Sequence, residues 1–141
     1  MSSINIMDAS AILAYLQQEA GEAVVEAALD QFPSWIGTVN YCEVLGKLCE
    51  RGMPPGEALT TVNELGLITV DFSVEHAQQA AALRVQTKPI GASIGDRACL
   101  ALAAHAARNK LTPIVYTAEH VWTKLKWPFK IVLIRPAKII T

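Results

Sequence analysis

The sequence predicts an α/β fold, a parallel sheet sandwiched between helices, and three observations lead there. Short apolar runs alternate along the whole chain with segments of helical period, the pattern of successive βαβ units, whose crossovers are right-handed. Hydrophobic residues make up 52% and charged residues 18%, so most helices must be well buried. Four acids, Asp8, Glu43, Asp96 and Glu119, fall where a strand should turn into a helix or where a helix should start. At 141 residues, with no repeat, low-complexity stretch or linker, the chain reads as a single domain spanning 1–141.

The first strand is expected over residues 4–7, ending at Asp8, and a helix over 9–19 with Ile12, Leu13 and Leu16 on one face. A second helix over 22–31 carries Val24, Val25, Ala28 and Leu29 as its apolar stripe, and Pro33 ends it. The second strand is expected over 35–39. The next helix runs over 40–51, with Val44, Leu45 and Leu48 facing inward and Gly52 just past its end. Pro54 and Pro55 open a helix to about residue 65, since proline is tolerated in the first turn. A third strand over 67–70 leads to Ser73, a cap for the helix 74–86. Residues 87–92, with Pro89 and Gly91, read as a loop before the helix 93–108. The fourth strand is expected over 113–116, a short helix from Thr117 to about residue 125, and the fifth strand over 131–134, closed by Pro136.

The acids carry the functional argument. They stand 35, 53 and 23 residues apart, so only the fold can bring them together. In a parallel α/β sheet, ligands bind in the crevice at the carboxyl ends of the strands. Carboxylates crowded there repel one another unless a cation lies between them, and hard oxygen ligands suit Mg2+ or Mn2+. The ordinary alternative is capping. Ser93 with Asp96 and Asn40 with Glu43 both have capping-box spacing, and a carboxylate at a helix start gains from the dipole. Asp8 resists that alternative best, because it directly follows an apolar strand. Ser10, Asn40 and Thr117 accompany the acids and suit the task of holding carboxylates in place, or of simple capping.

Other chemistries lack support. Neither a GxxxxGK[ST] loop nor a GxGxxG fingerprint occurs, and His76, His105 and His120 have no paired metal-ligand spacing. No GxSxG elbow supports a nucleophilic serine. Cys42, Cys49 and Cys99 form no CxxC pair and read as free thiols in a reducing cytoplasm. No apolar run approaches the roughly 18 residues of a membrane span, and the start MSSINIMDAS has no secretory leader pattern. The net charge of −1 hides an asymmetry: residues 1–96 have a balance of −8 and residues 97–141 of +7. The basic set is Arg97, Arg108, Lys110, Lys124, Lys126, Lys130, Arg135 and Lys138, which would let a polyanion lie along one side of the fold.

The segments MDASAILAYL, TVNYCEVLGKL, ASIGDRACLALA and YTAEHVWTKL resemble the signature blocks of PIN-domain ribonucleases, most of all the VapC toxins of type II toxin–antitoxin systems. The resemblance covers nearly the whole chain. It implies a PIN-like three-layer α/β/α sandwich whose five parallel strands follow the order 3-2-1-4-5. It implies an Mg2+- or Mn2+-dependent endoribonuclease cutting RNA such as tRNA, homodimers, no membrane association, and neutralisation by a VapB-like antitoxin. Asp8, Glu43 and Asp96 match the family's first three acids. Glu119 stands where the family usually has aspartate, one methylene shorter. Asp8, Asp96 and Glu119 are then the expected metal ligands, Glu43 a further catalytic acid, and Ser10, Asn40 and Thr117 supporting groups. Arg97, Lys124 and Lys126 are candidates for phosphate contact, and Arg97 has the alternative of pairing with a neighbouring acid. A non-catalytic RNA- or antitoxin-binding domain on the same scaffold is the main competing reading. A phosphoacceptor signalling domain would need paired acids near the first strand, whereas here Asn5 and Asp8 face the role, with Asp71 alone after the third.

Overall fold

The computed structural model describes residues 2–136; Lys138, one of the basic set, lies outside them. Five strands, β1 (Ser3–Met7), β2 (Ser34–Gly37), β3 (Ile68–Val70), β4 (Thr112–Thr117) and β5 (Lys130–Leu133), form one sheet in the order β3-β2-β1-β4-β5. All four pairings are parallel, as the alternation of elements and the resemblance imply. The central pair is the longest, running from Ser3 opposite Thr112 to Met7 opposite Tyr116. Six helices connect the strands: α1 (Ala9–Leu16), α2 (Glu22–Gln31), α3 (Thr38–Glu50), α4 (Pro55–Asn63), α5 (Val74–Thr87) and α6 (Ile94–Arg108).

The period-2 alternation of the strands divides the core in two. Met7, Ile36 and Tyr116 pack with α1 to α4 on one face. Ile4, Ile6 and Val115 pack on the other with Cys99, Leu100 and Leu102 of α6 and with Trp122. Ile6, Ile12, Ile36, Val44, Leu100 and Trp122 are essentially inaccessible, and each large aliphatic among them contributes about 1.5–3 kcal/mol of burial. Asn5 is a polar exception on the first face, with Ser34 beside it. Its Nδ2 donates to the Ala28 carbonyl at 2.6 Å and to Ser34 Oγ at 3.1 Å, tying β1 to α2 and β2.

Chain direction changes at the boundary between the two cores. The crossovers β1–α1–α2–β2 and β2–α3–α4–β3 build outward on one face, and β3–α5–α6–β4 returns across the other. The crevice between the carboxyl ends of β1 and β4 is therefore the topological switch point, where open α/β sheets bind ligands. Gly21 closes the α1–α2 corner with φ +99°, and a Cβ there would strike the Ile134 backbone carbonyl.

Several element boundaries depart from the sequence reading. The second strand ends at Gly37 instead of residue 39, and Thr38 and Val39 join α3. The partner strand β3 is three residues long and pairs only with Trp35, Ile36 and Gly37, so the ladder has nothing further to bond. Thr117 stays in β4, opposite Leu133, and the helical turn that follows is a 3-10 segment, His120–Lys124. The loop after α5 contains a second 3-10 turn, Lys88–Ile90.

Candidate active site

The four acids arrive from four different elements and line one cleft of about 200 Å³, together with Ser10, Leu13, Asn40 and Lys47. Asp8 is the residue after β1 and the N-cap of α1, accepting from the Ala11 amide at 2.8 Å. Its other donors are hydroxyls. Ser10 Oγ donates to Oδ1 at 2.7 Å, and Thr117 Oγ1 donates to Oδ2 at 2.5 Å. Each hydroxyl also accepts a backbone amide, Ala118 N–H on Ser10 at 2.9 Å and Glu119 N–H on Thr117 at 2.9 Å. Two amide-to-hydroxyl chains thus end on one carboxylate, so the hydroxyl protons are committed toward Asp8 and both hydroxyls are fixed in orientation. Burial pushes the Asp8 carboxyl up to about 6; the Thr117, Ala11 and Ser10 bonds oppose that rise, and the charge of Glu119 adds a little to it.

Glu43 lies on α3. Asn40 Nδ2 donates to its Oε1 at 2.9 Å and to the Gly95 carbonyl at 3.1 Å, so Asn40 clamps α3 to the start of α6. Asn40 is not a cap, because α3 already begins at Thr38 with Gly37 as its N-cap. The Glu43 carboxylate rests against the Cα of Gly95, in space that any side chain at 95 would occupy. Burial raises the Glu43 carboxyl above its usual range, Asn40 counters this, Asp96 adds to the rise and Lys47 lowers it. Asp96 does form a capping box: Ser93 N–H donates to Oδ2 at 3.0 Å, and Asp96 N–H to Ser93 Oγ at 3.1 Å. That bond leaves Oδ1 for the cleft. Glu119 precedes the 3-10 turn without a side-chain cap bond.

The convergence of the acids also bears on Cys99. Burial, followed by the charges of Asp8, Asp96 and Glu43, pushes its thiol well above the ordinary range. Three carboxylates therefore act on one buried sulfur behind the cleft. Among the described residues, however, no three acids, histidines or cysteines approach closely enough to cage one ion. The donor set is hard oxygen throughout, which fits Mg2+ or Mn2+ and not a soft metal. The raised Asp8 carboxyl fits the same group, since a buried anion with no facing cation is what a divalent ion would correct.

The candidate phosphate contacts are dispersed. Arg97 follows Asp96 but is turned about 100° round the helix, into the α5–α6 interface, where Nη1 donates to the Ala80 carbonyl at 3.1 Å. It neither lines the acidic cleft nor pairs with an acid. Lys124, at the end of the 3-10 turn, and Lys126, just after it, are both exposed. Arg108 and Lys110 flank the turn into β4 and so sit at its amino end, opposite the acids. The basic half of the sequence is therefore not one continuous face. Asp71 lines a separate cleft with His76 and His105, away from Asp8. Two residues escaped the sequence reading, Lys47 in the cleft and Gly95 beneath Glu43. Lys47 was legible as the i+4 neighbour of Glu43; Gly95 had no local signal.

The model of the family described as PIN domain matches residues 6–118. No curated protein sequence matches the chain. Among solved structures, a chain of VapBC2 from Rickettsia felis, bound to a promoter DNA fragment, is 13% identical with a TM-score of 0.64, covering 92% of this chain and 97% of that one. DNA-bound VapBC from Salmonella typhimurium gives 16% identity and a TM-score of 0.63 over 94% and 98% of the two chains. VapBC-5 from Mycobacterium tuberculosis, of the VapBC family of toxin–antitoxin systems, gives 18% and 0.55 over 92% and 97%.

Proposed function

The chain belongs to the PIN domain family, and from that premise we propose that it is an Mg2+- or Mn2+-dependent endoribonuclease, the toxin of a toxin–antitoxin pair. The observation that carries the reading is the buried Asp8 carboxylate at the switch point, held by two hydroxyls and an amide in a cleft shared with Glu43, Asp96 and Glu119. Asp8, Asp96 and Glu119 would hold the metal. When bound, it would neutralise the phosphodiester and lower the pKa of an attacking water.

The protein supplies the rest. Ser10 and Thr117 keep Asp8 oriented and aprotic on its accepting edges. Ser93 turns Asp96 so that one oxygen faces the cleft. Asn40 occupies Oε1 of Glu43 and leaves Oε2 open, and burial with the nearby Asp96 charge makes that oxygen a suitable acceptor for the water's proton. Lys47, at the rim, is ion-paired with Glu50 at 3.4 Å and would exchange that partner for a phosphate oxygen of the strand. The partners in this reading are an RNA substrate, a VapB-like antitoxin and a second copy of the chain, acting in the cytoplasm. The described residues include no helix long and apolar enough to cross a membrane.

A second reading, a domain that binds RNA or antitoxin without cutting, draws on the absence of a closely caged acid triad among the described residues and on glutamate at 119. One experiment separates the two. Purified, antitoxin-free protein is incubated with total RNA in Mg2+ or Mn2+ and in EDTA, beside Asp8→Asn and Asp96→Asn. Discrete fragments that need the metal and both acids support the nuclease. RNA left whole by a folded, metal-binding sample removes it.

A further inference from the structure

A second cleft lies on the other side of the first turn of α6. It measures about 520 Å³ and is lined by Arg84 from the end of α5, Lys88 from the 3-10 turn after it, Ser93 and Ile94, and Arg97. Three cations meet there and no acid lines it. Arg84 and Lys88 are exposed, whereas Arg97 is 9% exposed. Of the Arg97 guanidinium, Nη1 is spent on Ala80, but Nε is buried without a partner. A buried arginine donor left unsatisfied costs free energy unless something accepts from it. The cleft opens beside the N-terminus of a 15-residue helix, where Asp96 already caps the Ser93 amide, so its positive potential comes from the three side chains.

These features share one ligand chemistry, an oxyanion, and the neighbouring cleft identifies its class. Asp96 faces the acidic cleft, while Ser93 and Arg97, within one turn of it, face the cationic one. We propose that the cationic cleft holds a phosphate of the RNA strand flanking the phosphodiester in the acidic cleft. The acidic cleft repels RNA outside the single phosphate it neutralises, so a flanking phosphate held on Arg84, Lys88 and Arg97 offsets that repulsion and sets the register of the strand. The inference rests on the nuclease reading for its choice of RNA, but its test does not require cleavage.

The probe is a fluorescein-labelled 12-nucleotide oligouridylate, titrated by anisotropy against full-length Asp8→Asn protein over a series of salt concentrations. Each single-strand phosphate neutralised contributes about 0.7 to the slope of log affinity against log salt. Arg84→Gln/Lys88→Gln, which removes two of the three cations on that one phosphate, should therefore flatten the slope by up to about 0.7 and weaken binding. Arg108→Gln/Lys110→Gln, which removes the same charge from exposed positions at the opposite end of the sheet, should leave the slope unchanged. Arg97→Lys keeps the charge and should weaken binding at constant slope. An unchanged slope in the first double variant, an equal flattening in both, or no binding of the probe overturns the proposal. If wild-type protein cuts RNA while the slope stays unchanged, the cleft falls and the nuclease stands. If the slope flattens in a protein that never cuts RNA, the cleft stands and the nuclease falls.

Discussion

Replacing Gly95 with alanine moves Glu43 without altering it. A Cβ at position 95 would lie 2.7 Å from Glu43 Cδ and 2.9 Å from Oε2, well inside the 3.5–4.0 Å at which carbon atoms rest together. The glutamate is the flexible partner, so it swings away and gives up the Asn40 bond of 2.9 Å. A hydrogen bond to a charged group contributes about 1.5–3 kcal/mol. Alanine in place of glycine in a helix returns up to about 1 kcal/mol. The net loss is about 0.5–2 kcal/mol, a fall in Tm of about 2–6 °C for a chain of this size. In a Glu43→Ala background the space is vacant and the bond already absent. There the same Gly95→Ala change should raise Tm by a few degrees. Thermal unfolding of the four proteins in EDTA gives the coupling directly, and RNA cleavage should fall with Gly95→Ala only while Glu43 is present. Shifts of the same sign and size in both backgrounds would refute the close approach.

Asp8 should leave a signature in stability against pH. Its carboxyl stands at about 6 folded against 3.8 ordinarily, so the folded state binds the proton more tightly. In the protein without metal, the Asp8 contribution to stability is then fully present near pH 4 and below, is lost as pH rises from about 4 to about 6, and above that stands as a penalty of up to about 3 kcal/mol. Urea melts in EDTA should show that loss in wild type and a flatter profile in Asp8→Asn; superimposable profiles would remove Asp8 as the cause. Added Mn2+ at pH 7 should stabilise wild type more than Asp8→Asn, by mass action on the folded state. Thr117→Val keeps the shape but removes the Thr117 bond to Asp8 Oδ2, leaving that oxygen only Ser10, and strands the Glu119 amide, costing about 1.5–3 kcal/mol, and Thr117→Ser should recover most of both stability and cleavage; equal Tm values for Val and Ser would contradict the hydroxyl chain. With a thiol reagent, exposed Cys42 should react first and buried Cys99 only on unfolding; labelling of Cys99 in the native protein would show that the core behind the acids opens.

The parallel α/β class and the cleft acids were legible from alternating periods and from acids at strand ends, whereas the strand order came only with the family resemblance of the motif blocks. What pattern could not supply was direction around a helix and reach across the fold. Arg97 is adjacent to Asp96 in sequence, and the helical rotation sends the two into different clefts. Asn40 and Glu43 have the spacing of a cap, yet a short β3 lets α3 start early, which turns the pair into a clamp on Gly95. Thr117 reads as a helix opener, whereas its hydroxyl is committed to a carboxylate 109 positions away. Gly95 has significance only when Glu43 lies on it, a contact between two helices on different crossovers.

The bond between Thr117 and Asp8 also sets a timetable. It joins the first strand to the fourth across 109 positions, and the ribosome delivers them in that order, at roughly 5–20 residues per second. Asp8 therefore emerges and waits about 5–20 s for the partner that orients it. During that interval Glu43 and Asp96 also appear, but β4 is missing, so neither the crevice nor the hydroxyl chain exists. A growing chain is unarmed until synthesis has passed β4. Any interruption before Thr117 leaves a fragment with at most three of the four acids and without the strand that completes their crevice.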